Sequence, residues 1–182
     1  MKQILVAIGV TILTSLYFFP FESALLPTVN TKMALAAFAI VLYITTVAKQ
    51  RNASINRDML VMSLCALFVS LFGYISTVIN NTHDYTYASY FVSMWVWIGG
   101  AYVVIKAAES AYGKVTIRMV GNFLIAVCVA QCIIAQLINA NEAIARFVDS
   151  FMVSTGFMGK HESRLYGIGC ALDVAGLRFC TV

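Results

Sequence analysis

Charge is what this sequence has least of. Among its 182 residues 11% are charged, where a soluble domain carries roughly 25%. No basic run with interleaved aromatics is present, which removes nucleic acid from the partners expected of the chain. No phosphate-binding glycine loop, nucleophile elbow or metal-ligand spacing occurs. The only histidines, His83 and His161, are too far apart in sequence to suggest a metal pair. His83, beside Asp84, reads as a solvated surface residue. No metal and no cofactor is expected.

What the chain has in place of charge is apolar side chain: 61% of residues are hydrophobic and mean hydropathy is +0.86. A water-soluble fold of this length has too little polar surface to cover so much of it. A bilayer solvates it instead. Five cysteines, Cys65, Cys128, Cys132, Cys170 and Cys180, do not change that reading. Cys128 and Cys132 are four apart and share a helix face. As a redox or metal pair they lack a neighbouring His or second pair, so small packing residues are the simpler reading. Cys170 and Cys180 fall after the apolar runs, on the side expected to be oxidising.

Charge-free stretches place the spans at 4–19, 33–47, 59–79, 85–105 and 119–140. A 21-residue helix rises about 31 Å, close to the hydrocarbon thickness. The runs are continuously apolar rather than alternating, which selects helices over a barrel. The first, with its basic start, resembles a signal peptide, and the apolar runs behind it favour a retained anchor. The fold class is therefore all-α: a polytopic transmembrane helix bundle of about five spans plus an interfacial amphipathic helix. Residues 1–140 form the membrane region and 141–182 an outer-face segment.

Orientation follows from Lys and Arg. Lys49, Arg51 and Arg57 fall in one connection, Lys106, Lys114 and Arg118 in another, and Lys2 at the start. The connections at 20–32 and 80–84 contain only Lys32. If the spans alternate, the positive sites share one side, which should be the cytoplasm. Tyr85 and Tyr87 suit an aromatic belt at the opposite interface. Trp95 and Trp97 sit deeper and read as packing residues, with ligand stacking as the alternative. Gly99 and Gly100 permit close helix approach or a local break.

After Ala140 the pattern changes. Ile144, Phe147, Val148, Phe151 and Met152 recur at helical spacing, with Glu142 and Arg146 as i,i+4 partners opposite and Asn141 as a cap. This amphipathic helix, 142–153, is expected to lie on the outer leaflet with its apolar stripe down. A loop with four glycines follows: Gly156, Gly159, Gly167 and Gly169. It carries Lys160, His161, Glu162 and Arg164. The tail then opens a sixth apolar segment holding Asp173 and Arg178. Arg146, Lys160, Arg164 and Arg178 all lie on the side where positive charge is disfavoured. Ionisable groups near the membrane tend to be functional. Arg164 and Arg178 offer planar forks for phosphate or carboxylate. The competing reading is that Asp173 pairs with one of them and neutralises it.

The stretch Arg164-Leu-Tyr-Gly167, followed by Leu172-Asp173-Val-Ala-Gly176, resembles the outward-facing segment of bacterial O-antigen polymerases and ligases. There an RxxG-like loop precedes a small-residue segment that opens the next span. The resemblance implies an inner-membrane glycosyltransferase working on undecaprenyl-diphosphate-linked glycan, alongside partner proteins of polysaccharide export. It implies substrate-binding roles for Lys160, Arg164, Gly167 and Arg178, with the arginines offsetting diphosphate charge. A base for the acceptor hydroxyl is sought among His161, Glu162 and Asp173. Members of that family have more spans and a large outer loop in their second half, so this chain is expected to be an N-terminal part or a truncated form. Two other readings stand beside this one: a small non-enzymatic membrane subunit or assembly partner, and part of a transporter or lipid flippase. Spans three to five carry no midplane charge, which weakens the last.

The topology is testable with reporter fusions. Alkaline phosphatase should be active when fused after Thr82 or Asn141 and inactive after Ser54 or Val115. The reverse pattern would invert the orientation.

Overall fold

The computed structural model describes residues 2–24, 26–50, 57–152 and 166–169. Among the described residues there are six helices and one two-stranded hairpin. In chain order they are α1 (Lys2–Phe18), β1 (Glu22–Ser23), β2 (Leu26–Asn30), α2 (Thr31–Gln50), α3 (Arg57–Ile79), α4 (Tyr90–Tyr112), α5 (Ile117–Ala140) and α6 (Glu142–Phe151). The helices α2 to α5 each contain a stretch long and apolar enough to cross a membrane, and α1 is a shorter apolar helix of 17 residues. Large apolar side chains such as Ile4, Phe72 and Ile79 stand exposed along these helices, as they do where acyl chains are the solvent. The chain is all-α and a multi-pass membrane protein.

Hydroxyls inside the apolar helices are satisfied by the helices themselves. Thr11, Thr14, Thr46 and Ser63 each donate to the carbonyl four residues earlier, at 2.7–2.8 Å. A buried donor has no water to turn to at that depth, so this back-bonding removes most of its desolvation cost. The ends are capped by short polar side chains. Asn30 Oδ1 accepts from Met33 N for α2, Thr116 Oγ1 from Met119 N for α5, and Asn141 Oδ1 from Ala143 N for α6.

The chain divides into two compact units, Met1–Leu35 with Val104–Val182, and Ala36–Val103. In the second, the α3–α4 turn is tied down closely. Thr77 Oγ1 lies 2.9 Å from Gly73 O and 2.8 Å from Asp84 O, and Ser70 Oγ accepts from Phe91 N at 2.8 Å. Gly73 lets the turn approach: a Cβ there would come within 2.7 Å of Tyr87 Cβ and 2.8–2.9 Å of the Tyr87–Ala88 backbone. Gly99 on α4 does the same for α2, where a Cβ would meet Ala36 at 3.2–3.3 Å. This is the close approach that Gly99-Gly100 predicts.

The fourth span differs from its sequence expectation at both ends. It begins at Tyr90 rather than Tyr85 because Thr86 N donates to Asp84 Oδ1 at 3.0 Å and Ser89 Oγ to Thr86 O at 2.9 Å. Those bonds make residues 85–89 a series of turns. It continues to Tyr112 because Lys106 and Glu109, one turn apart, pair at 2.7 Å and ride on the helix.

Two glycine substitutions separate packing from propensity. Gly73→Ala should lower the melting temperature in detergent, because backbone must move to admit the methyl. Gly121→Ala, in α5 with nothing within 4 Å of its Cβ position, should leave stability unchanged or raise it by up to about 1 kcal/mol. Equal behaviour of the two would contradict this packing of the turn.

Candidate functional site

The first unit places the segment where the sequence concentrates its unusual residues. Phe21, just past α1, and Ile138, at the end of α5, belong to one apolar cluster with Val148 and Met152 from the region of α6. The chain just past α1 therefore reaches the last turns of α5. The apolar stripe of α6 largely faces this cluster: Val148 and Met152 are buried, and Ile144 and Phe151 are packed against it. Only Phe147 of that stripe is mainly exposed, at 70%. The chain itself supplies most of what the stripe covers. The cap by Asn141 and the Glu142–Arg146 pair, at 3.6 Å, appear as their spacing predicts.

The connection after α1 is a hairpin fastened to the end of α6. Ala24 N donates to Phe151 O at 2.9 Å, and Ser23 bridges to Met152. Thr31 closes its base, with Oγ1 donating to Leu16 O at 2.7 Å and accepting from Phe21 N at 3.3 Å.

Into this assembly returns the segment 166–169. Tyr166 and Ile168 pack on the apolar cluster, Gly167 is buried, and Gly169 adopts φ +68°. A Cβ on Gly169 would sit 2.3 Å from Phe19 O, so only glycine fits both the conformation and the space. The segment is held from below by Gln131 of α5. Its Nε2 donates to Ile168 O at 2.9 Å and to Ser15 Oγ of α1 at 3.2 Å. The amide orientation follows from the partners, since a carbonyl can only accept. Gln131 is 2% exposed, and its Oε1 has no donor among the described residues.

Depth makes this contact unusual. Gln131 lies nine residues before the end of α5, about 13 Å along the axis. Non-helical backbone at membrane depth is tolerated only where protein covers it. The shortness of α1 leaves the room, and the cluster around Gly167 provides the cover. At the rim, the Tyr166 hydroxyl approaches both Asp149 carboxylate oxygens at 3.3–3.4 Å. Burial pushes the Tyr166 phenol up from its ordinary range, and the Asp149 carboxylate adds to the effect.

Of the residues the sequence singles out, Gly167 is the one placed in this seat. Lys160, His161, Glu162, Arg164, Asp173 and Arg178 lie outside the described residues, as do Cys170 and Cys180. Cys128 is buried beside Phe19 and Val127, in keeping with a packing role, while Cys132 on the next turn is exposed. Among the described residues no three of His, Cys, Asp or Glu gather as metal ligands. Sequence reasoning missed Gln131 and Ser15, and read Gly169 only as one of four loop glycines. Of the four amides on α5, Asn122, Gln131, Gln136 and Asn139, Gln131 is the farthest from either helix end, and that position was the available signal. Comparison with protein-family models, with curated proteins and with solved structures finds no match for this chain.

The seat predicts a protease phenotype. Gln131→Leu removes the donor to Ile168 O, at a cost of about 1 kcal/mol. Tryptic cleavage at Lys160 and Arg164 in detergent should then run about fivefold faster. Gly169→Ala should act in the same direction. Unchanged cleavage in both variants would mean that Gln131 and Gly169 do not anchor the loop.

Proposed function

We propose that this protein is an inner-membrane component of cell-surface polysaccharide assembly, of the O-antigen polymerase or ligase type. In this reading its N-terminus is cytoplasmic, and its Arg-x-x-Gly loop binds the diphosphate of an undecaprenyl-diphosphate-linked glycan at the outer face. The observation that supports it best is the anchoring of Gly167 to Gly169 at the end of α1 by Gln131 and Phe19. Arg164 is three residues from Gly167, so chain length alone keeps its Cα within about 11 Å of that anchor. A cation tethered within reach of a fixed, protein-covered point suits a lipid phosphate, whose charge needs a held partner.

The chemistry follows from the groups involved. The acceptor sugar hydroxyl attacks the anomeric carbon of the lipid-linked chain. The bond from that carbon to the diphosphate oxygen breaks, and the lipid diphosphate leaves with the electron pair. Arg164 and Arg178 offset the charge developing on that oxygen. The hydroxyl proton passes to a base, for which His161, Glu162 and Asp173 are the candidates. Lys160 adds a point charge for the second phosphate. No nucleotide takes part.

Repeat-unit polymerisation in cells tests the reading, with Arg164→Ala and Arg178→Ala compared with unmodified protein at matched membrane levels. Long glycan chains should fall at least tenfold in each variant, with single-repeat products accumulating. Loss of one charge-assisted contact, at about 1.5–3 kcal/mol, corresponds to that factor or more. Unaltered chain lengths in both would reject the diphosphate role and leave a non-catalytic membrane partner.

A further inference from the structure

A second feature lies in the other unit. An open groove of about 640 Å³ runs along α3 to the α3–α4 turn. Its deeper end is lined by Phe68, Val69 and Phe72, and its rim by Ser76, Asp84 and Tyr87. Phe68 and Ser76 are eight residues apart on one helix, about 12 Å along its axis. The change from aromatic wall to hydroxyl and carboxylate therefore follows the passage from acyl chain to head group at the end of a span. The rim is rigid: Thr77 and Ser70 bind the turn to α3, and Gly73 brings Tyr87 against it.

Asp84 is the ionisable lining group with the decisive sign. Among the described residues no Lys, Arg or His lines the groove, and Asp84 forms no ion pair. Hydrogen bonds from Thr86 hold its carboxyl below the usual carboxylate range. An ionised carboxylate only accepts. It repels anionic head groups and rewards one that brings both positive charge and N–H donors.

We infer that this groove binds a phospholipid whose head group ends in a primary ammonium, the ammonium donating to Asp84 and an acyl chain lying on Phe68 and Phe72. A phosphocholine head group carries the same charge but no N–H, so it forfeits the hydrogen bonds. A phosphoglycerol head group has donors but net negative charge.

The test is native mass spectrometry of the full chain, after exchange into equal parts dioleoyl phosphatidylethanolamine, phosphatidylcholine and phosphatidylglycerol. Phosphatidylethanolamine should be retained two- to fivefold over phosphatidylcholine, the range of one interfacial charge pair. Asp84→Asn, which keeps the acceptor for Thr86 N, should bring the ratio to about one. Glu142→Gln, another exposed carboxylate, should leave it unchanged. Equal retention in unmodified protein would overturn the inference without any reliance on a variant folding. So would preference for phosphatidylglycerol, an undiminished ratio in Asp84→Asn, or an equal fall in Glu142→Gln.

Discussion

The two hydrogen bonds of the Gln131 amide join three stretches that are far apart in sequence: α1 through Ser15, α5 itself, and the returning segment through Ile168. In an apolar surrounding a primary amide has no water to fall back on, and neither has the carbonyl it serves. The burial of Gly167 and the fit of Gly169 against Phe19 lie beside that contact. Gln131 is polar for the sake of a backbone carbonyl that no helix can satisfy.

The second unit solves the same problem differently. There the irregular backbone stays at the helix ends, and hydroxyls on α3 reach up to it: Thr77 to Asp84, Ser70 to Phe91. Glycine supplies proximity in both units, but for different reasons. Gly73 and Gly99 lie on helices and yield space to a neighbour, whereas Gly169 needs the left-handed conformation as well as the space. The first kind of position depends on volume alone, the second on chirality too.

Much of this was legible in the residues. Long apolar runs locate the helices to within a few positions. Asn141, Glu142 and Arg146 announce α6 because capping and i,i+4 pairing are local rules. The hairpin was not legible, because residues 22–30 carry no alternation and owe their strand form to Thr31 and to the end of α6, which is distant in sequence. The start of α4 misled because Tyr85 and Tyr87 are as apolar as a helix needs, while the Asp84 and Thr86 bonds that hold the turn outweigh that preference. Gln131 gave no local sign of its role because its partners lie 116 and 37 positions away. Of the residues proposed to bind substrate, Gly167 lies in the seat that Gln131 holds.

The distribution of the two units along the chain also orders events in time. Ala36–Val103 is continuous in sequence, so its helices can settle against one another as soon as they emerge. The other unit is split, with three helices between α1 and its partner α5. At about 5–20 residues per second, the 116 residues between Ser15 and Gln131 take roughly 6–23 seconds to synthesise. During that interval the end of α1 is an unfinished surface in the membrane, and the nascent chain assembles from its middle outward.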